Sequence, residues 1–394
     1  MPINTSPLQD EIIETTRALA PTFAARAPQH DRENTFPYEN YDDLKRAGYH
    51  ALTVPEEFGG RGAGLLDICL GQEELACGDG ATALGIGMHL GFIGRLAEEL
   101  SWPARLWERV CTDIVQRGAL INSAATEPEM GSPSRGGRPT TTARRVAGGW
   151  EITGRKTFTT MAPVLDYVVV LASVEPGDDA GDRGNFLVER GTPGLSIDYT
   201  WDTIGMRATG SHDLVLDRVL VPEESRILPP ASRPRGDGAS GRGWAALTLG
   251  AVYLGVASAA RDHAATYAQE RVPTALGKPI AELDDVQQNL GRMDLAIRSA
   301  RSLLLQTAAE WDRRPEARRE LAPDIAASKY LATNAALDVT DLAMRLAGGS
   351  ALSKGLPFER LLRDARAGVY NPPQDPVTLK LLGKWVLGDR SQLA

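Results

Sequence analysis

The chain divides into three stretches by the period of its apolar positions. Up to about residue 118 the period is helical: Leu8, Ile12, Leu19 and Phe23 recur at helical spacing with Asp, Glu and Arg between them. The segment PEEFGGRGAG (residues 55–64) interrupts this pattern as a glycine-rich turn. After it, LLDICLGQEELAC is again helical in period, and ATALGIGMHLGFIGRLAEEL is apolar on nearly every side, which predicts a helix in the interior of a domain. From Ala119 the pattern shortens to β-branched runs bounded by Gly, Pro or Asp, such as YVVVLASV, FLVER, LSIDYT and DLVLDRVLV. A hairpin turn is expected at Thr153-Gly154, an acidic connection over residues 175–184, and a flexible loop over 229–243. From Trp244 three long Ala- and Leu-rich amphipathic segments follow, of lengths that suit a helix bundle. The pattern predicts an α+β multidomain chain: an N-terminal helical domain (1–118), a central antiparallel β domain (119–226) and a C-terminal helical bundle (227–394).

Composition narrows the classes of function. With 42% hydrophobic and 24% charged residues over 394 positions, a sizeable core can form and wholesale disorder is excluded. The net charge is −8 and no basic run stands out, so nucleic acid is not the expected partner. Cys69, Cys77 and Cys111 form no CxxC or Cys/His cluster, which argues against a disulfide framework and a structural metal and for a reducing compartment. The first residues lack a basic and apolar leader pattern, and no run of 18 uncharged apolar residues follows. A cytoplasmic enzyme, neither secreted nor membrane-spanning, is the expectation.

Two segments of the β region carry candidate chemistry. In NSAATEPEMGS (122–132), small and hydroxyl residues beside glycine expose backbone N–H groups, which suits a diphosphate or the edge of a flavin ring. A strand ending in an ordinary turn fits the same residues. In WEITGRKTFTTMAPVLDYVVV (150–170), Phe158 beside Thr159 and Thr160 could stack on a planar cofactor while the hydroxyls bond its heteroatoms. An alternating strand with one buried face is the other reading.

ATEPEMGS, GGWEITGRKTFTT and PGLSIDYTWDTIGMRATGSHDLVLDRVLVP follow one another at suitable spacing, and together they resemble the middle domain of the acyl-CoA dehydrogenase family of flavoproteins. LKRAGYHALTVPEEFGGRG before them and RLAGGSALSKGLPFERLLRDAR after them extend the resemblance over nearly the whole chain. It implies a C-terminal four-helix bundle, a homotetramer, and one FAD per subunit, with FMN as the alternative cofactor. It assigns Ala125 and Thr126 to the flavin pyrimidine edge, Ser132 to the diphosphate, Phe158 to the ring face and Thr160 to a bond near N5, with Gly131 and Thr159 as further cofactor-binding residues. It also sends Arg271 and Gly348-Gly349 toward the cofactor of a neighbouring subunit, the glycines because a side chain would block backbone approach.

The departures from the family bear on the reaction. Acyl-CoA dehydrogenases remove an α-proton with a glutamate after the RDA motif, where this chain has Pro372 with Asn371 beside it. The alternative glutamate position, early in the first bundle helix, falls near Ala245. None of these residues is a base, and losing a positioned base typically costs roughly 10²–10⁴-fold in rate. His89, within the apolar segment GIGMHLGF, is the candidate that replaces the missing group as proton donor or substrate ligand; a hydrogen-bonded core histidine is the alternative. Trp244 and Asn371 are further substrate-side candidates. Three functions follow: an FAD-dependent oxidoreductase of the acyl-CoA dehydrogenase type acting on an unusual substrate, served by an electron-transfer flavoprotein; a two-component monooxygenase of the same fold, served by a flavin reductase; and a flavin-binding subunit without catalysis. The substrate is a small molecule, with an acyl thioester as one option.

Overall fold

The structure is a computed structural model that describes residues 5–129, 137–175, 183–228 and 239–389. Five helices come first: α1 (Pro7–Glu33), α2 (Tyr38–Arg46), α3 (Leu65–Gly78), α4 (Gly80–Glu99) and α5 (Ala104–Arg117). Ser6 and Gln9 form a capping box on α1, which buries Ile12 and Phe23 from its apolar stripe. Asp79 caps α4 through the amides of Ala81 and Thr82. α4 is buried around most of its circumference, as its uninterrupted apolar composition requires.

The middle of the chain forms strands β1 (Ile121–Ala124), β2 (Thr142–Val146), β3 (Gly149–Thr159), β4 (Tyr167–Val174), β5 (Gly184–Glu189), β6 (Leu195–Asp198), β7 (His212–Pro222) and β8 (Arg226–Ile227). Their order is β6-β7-β3-β2-β4-β5-β8, with β1 beside β4. The pairings are antiparallel except β1/β4 and β2/β4, which are parallel and reached by longer connections. One expected turn is misplaced. The hairpin joining β2 to β3 turns at Ala147-Gly148, whereas Thr153-Gly154 lies inside β3. Gly154 is there because Thr141 approaches so closely that a Cβ would fall 2.4 Å from its hydroxyl.

Helices α6 (Ala239–Glu270), α7 (Asp284–Arg313), α8 (Ala322–Ala347), α9 (Phe358–Ala367) and α10 (Asp375–Val386) complete the chain. α6 begins at Ala239, so residues 239–243, expected in a loop, are helical. The glycines that suggested a loop serve helix packing: at Gly243 a Cβ would lie 2.5 Å from the Trp311 ring. Residues 241–270 of α6 are long and apolar enough to cross a membrane by length and composition, yet 94% of the apolar window is buried within the protein. α6 is the axis of the molecule, packed against α3, α4, α7, α8 and α9. A single hydrophobic cluster runs from α1 through the sheet into the bundle. Polar clamps join the parts: Asp312 on α7 accepts from the amides of Leu65 and Leu66 at the start of α3 (2.9 and 2.8 Å).

Candidate active site

The ends of β1 and β3 meet at one edge of the sheet. The Thr157 amide donates to the Thr126 carbonyl (3.0 Å), bringing Ala125 and Thr126 alongside residues 157–160. Behind this junction Lys156 and Glu127 form an ion pair with no exposure on either side chain. Glu127 also accepts from the Thr140 amide and hydroxyl (2.6 and 2.7 Å) and the Thr141 amide (3.1 Å). Burial pushes the Glu127 carboxyl up, but the bonds from Lys156, Thr141 and Thr140 outweigh it and hold the pKa at about 2. Burial lowers the Lys156 pKa against the pull of Glu127. In the sequence Lys156 stands within GRKTFTT with nothing to mark its partner. The available signal was a lysine at an inward position of a strand, where an unpaired charge would be untenable.

In front of the pair, β3 loses register with β7 between Lys156 and Thr159. This bulge puts Phe158 at φ +57° and turns its ring outward, 60% exposed and edge-on to Trp201 with centroids 5.8 Å apart. Thr159 points the other way, and its buried hydroxyl has no partner among the described residues. Thr160 starts a file of hydroxyls: its Oγ1 lies 2.9 Å from the Ser211 oxygen, which lies 2.8 Å from that of Thr209. Thr209 donates to the Met206 carbonyl (2.9 Å), so Ser211 donates to Thr209 and Thr160 to Ser211. Asn122 fixes the backbone by donating to the Thr160 carbonyl (3.1 Å).

The structure therefore assembles Ala125, Thr126, Phe158, Thr159 and Thr160, and adds Trp201, Thr209 and Ser211. An outward aromatic on strained backbone, a buried hydroxyl without a partner and a half-exposed threonine fit a flat, heteroatom-bearing ring. Gly131 and Ser132 lie outside the described residues. Arg271 and Gly348-Gly349 are exposed and close the same end of the bundle, where the Tyr267 hydroxyl donates to the Ala347 carbonyl (3.4 Å). Among the described residues nothing lies within 4 Å of a Cβ on either glycine, and of the two it is Gly348 that takes a left-handed backbone, with φ +62°.

Two expected site residues take other roles. His89 is fully buried; its Nδ1 accepts from the Ile121 amide (3.1 Å) and its Nε2–H donates to the His50 carbonyl (2.9 Å). Burial, only partly offset by these bonds, lowers its pKa to about 4. With both nitrogens spent on main chain, His89 is a neutral structural link between α4 and β1, neither proton donor nor substrate ligand. Trp244 is buried as well, its ring pressed against Gly94 of α4, where a Cβ would fall 2.4 Å away. It fills core in place of lining a substrate cavity. Asn371 is half-buried, and its amide oxygen accepts from the Tyr253 hydroxyl of α6 (2.7 Å).

Comparison with known proteins accounts for this arrangement. The family models for the N-terminal, middle and C-terminal domains of acyl-CoA dehydrogenase match residues 6–99, 122–219 and 242–369. The chain belongs to the acyl-CoA dehydrogenase family. Members are flavin-dependent oxidoreductases, and the assembled edge is where this member's own residues suit such a cofactor. The chain is 45% identical over 374 residues to YdbM of Bacillus subtilis (strain 168), whose name places it among acyl-CoA dehydrogenases; the match covers 95% of this chain and 96% of YdbM. A glutaryl-coenzyme A dehydrogenase solved with glutaryl-CoA superposes with a TM-score of 0.87 at 26% identity, over 100% of this chain and 98% of that one. KijD3, solved with FMN and dTDP-3-amino-2,3,6-trideoxy-4-keto-3-methyl-D-glucose, superposes with a TM-score of 0.81 at 28% identity, over 98% and 95%.

Proposed function

We propose that this family member oxidises a substrate by a route that does not depend on a carboxylate removing the α-proton of an acyl thioester. The observation that supports this reading is the chemistry at both positions to which the family resemblance assigns that carboxylate. Pro372 is exposed and has no ionisable group, the Asn371 amide oxygen is engaged by Tyr253, and Ala245 presents a methyl group. A thioester α-C–H is a weak acid that needs a base within hydrogen-bond reach. His89 cannot substitute, because both its nitrogens are engaged and burial keeps it neutral.

Ala125 and Thr126 would hold the polar edge of the flavin, FAD or FMN, with Thr160 beside them and Phe158 against the ring. When bound, the flavin supplies two-electron redox chemistry. The protein's part is to orient: the bulge fixes Phe158, Asn122 fixes Thr160, and the hydroxyl file gives Thr160 a defined proton direction without adding charge. Arg271 and Gly348-Gly349, exposed at one end of the bundle, would meet a neighbouring subunit in a homotetramer. Anaerobic mixing with a panel of saturated acyl-CoAs tests the reading. Slow or absent bleaching of the flavin is expected, and rapid bleaching by a simple acyl-CoA would overturn it.

A second reading is a two-component monooxygenase supplied by a flavin reductase. The relative solved with FMN and an amino sugar nucleotide favours it, since that ligand is not a CoA thioester. Rapid reaction of the reduced protein with oxygen would select it, while slow reaction with oxygen and electron delivery to an electron-transfer flavoprotein would select the dehydrogenase. A flavin-binding subunit without catalysis would show no reduction by any substrate.

A further inference from the structure

A cleft of about 770 Å³ opens where α1, α6, α9 and residues 202–207 meet. None of the residues assigned to the flavin edge lines it. Its lining includes five cationic side chains and three carboxylates, and the carboxylates are already engaged. Asp31 and Glu359 both accept from Arg363, and Asp202 accepts from Arg207 (2.9 Å).

Arg360 is different. Its side chain is only 8% exposed, and among the described residues its guanidinium makes no hydrogen bond. Its one charge partner, Asp364, stands 3.6 Å away. A guanidinium offers five N–H donors, and those that Asp364 does not face open on the cleft. The ten-residue helix α9 also begins at this wall. Pro357 occupies its N-cap and no side chain caps it, so its first-turn N–H groups and the positive end of its dipole meet the cleft. Lys354, exposed at the rim, has no carboxylate partner among the described residues. Ile204, 68% exposed, and Leu356 supply an apolar face.

We propose that this cleft is a second ligand site, which binds a phosphate-bearing molecule of nucleotide size with its phosphate on Arg360 and the α9 N-terminus. A tetrahedral oxyanion suits both donors: the guanidinium engages two oxygens as a fork, and helix N–H groups engage a third. The volume lies within the ordinary range for small-molecule clefts, roughly 300–1,000 Å³. Arg363, paired with Asp31 and Glu359, forms part of the same wall.

Calorimetric titration of the flavin-loaded protein with inorganic pyrophosphate, and separately with ADP, at low salt tests the proposal. Saturable binding is expected, weakening with added salt. ADP binding at least tenfold tighter than pyrophosphate identifies the occupant as a nucleotide; equal affinities identify a free phosphate compound. Arg360→Gln should weaken both at least tenfold while flavin content stays unchanged. Should that variant fail to fold, Lys354→Ala at the exposed rim should weaken them several-fold with an unchanged melting temperature. Absence of binding, or affinity unchanged in these variants, overturns the proposal. So does binding seen only after the flavin is removed, because the site would then belong to the cofactor's own phosphates.

Discussion

Phe158 combines two features that rarely coexist: a large aromatic ring left mostly exposed, and a left-handed backbone that a glycine would adopt more easily. Loss of the ring should weaken flavin retention by roughly 0.5–1.5 kcal/mol, plus a burial term. Two substitutions separate ring from backbone. Phe158→Ala loses the ring and keeps the strain; Phe158→Gly loses both, and relief of φ +57° is worth about 1 kcal/mol. Both should release flavin in equilibrium dialysis, while the apoprotein of Phe158→Gly melts higher than that of Phe158→Ala. Equal flavin content in wild type and Phe158→Ala would remove Phe158 from the site. His89 leads to a prediction of the opposite kind. Its folded pKa of about 4 lies below the unfolded value near 6.5, so its contribution to stability is present above pH 6.5 and is lost as pH falls through 4. Ring ¹⁵N spectra should show one neutral Nε2–H tautomer from pH 8 to 5. Titration within that range would restore His89 as a candidate proton donor.

At the scale of elements, β3 organises the site. Its inward Lys156 anchors the segment after β1 through Glu127, and its bulge turns Phe158 out of the same strand. Removing one partner of a buried ion pair typically costs about 3–5 kcal/mol because the other charge stays behind. Lys156→Met should fall in that range by urea denaturation, and Lys156→Met with Glu127→Gln should cost less than the two changes summed. An additive double variant would mean that the pair does not act as a unit. The helical periods of α1, α3 and α4, the strands and the bundle were legible in the sequence, as was the gathering of residues 125–126 with 158–160. Two of the errors share a cause: glycine was read by its local habits. Gly154 reads as a turn and Gly243 as a loop, yet each is set by a neighbour distant in sequence, Thr141 and Trp311, that leaves no room for a Cβ. His89 and Trp244 were expected on the substrate side from the family resemblance, not from glycine, and contacts distant in sequence take them into the core. A single chain pattern cannot display that Ile121 and His50 consume the imidazole, or that Gly94 receives the indole.

In the whole molecule, the RDA motif is where the three parts are tied together. Arg363 reaches Asp31 at the end of α1 (2.8 and 2.6 Å) and the Ile204 carbonyl beside the sheet (2.7 Å). Asp364 accepts from the Met206 amide (2.6 Å), and the Met206 carbonyl is where the hydroxyl file from Thr160 ends. Asp364 thus connects the bundle, through Met206, to the hydroxyl file that begins at Thr160. Burial raises its pKa to about 7, with Arg360 and the Met206 amide only partly opposing. A carboxyl whose folded pKa is raised above its unfolded value stabilises the fold fully below that unfolded value. The stabilisation is lost as pH rises through the folded value. The window for Asp364 is therefore about pH 4 to 7. Asp364→Asn keeps an oxygen to accept from Met206 and removes the titration. Urea midpoints at pH 5 and pH 8 should fall further in the wild type than in Asp364→Asn. Equal falls would show that the clamp between bundle and sheet does not take up a proton, and that its strength is constant across this range.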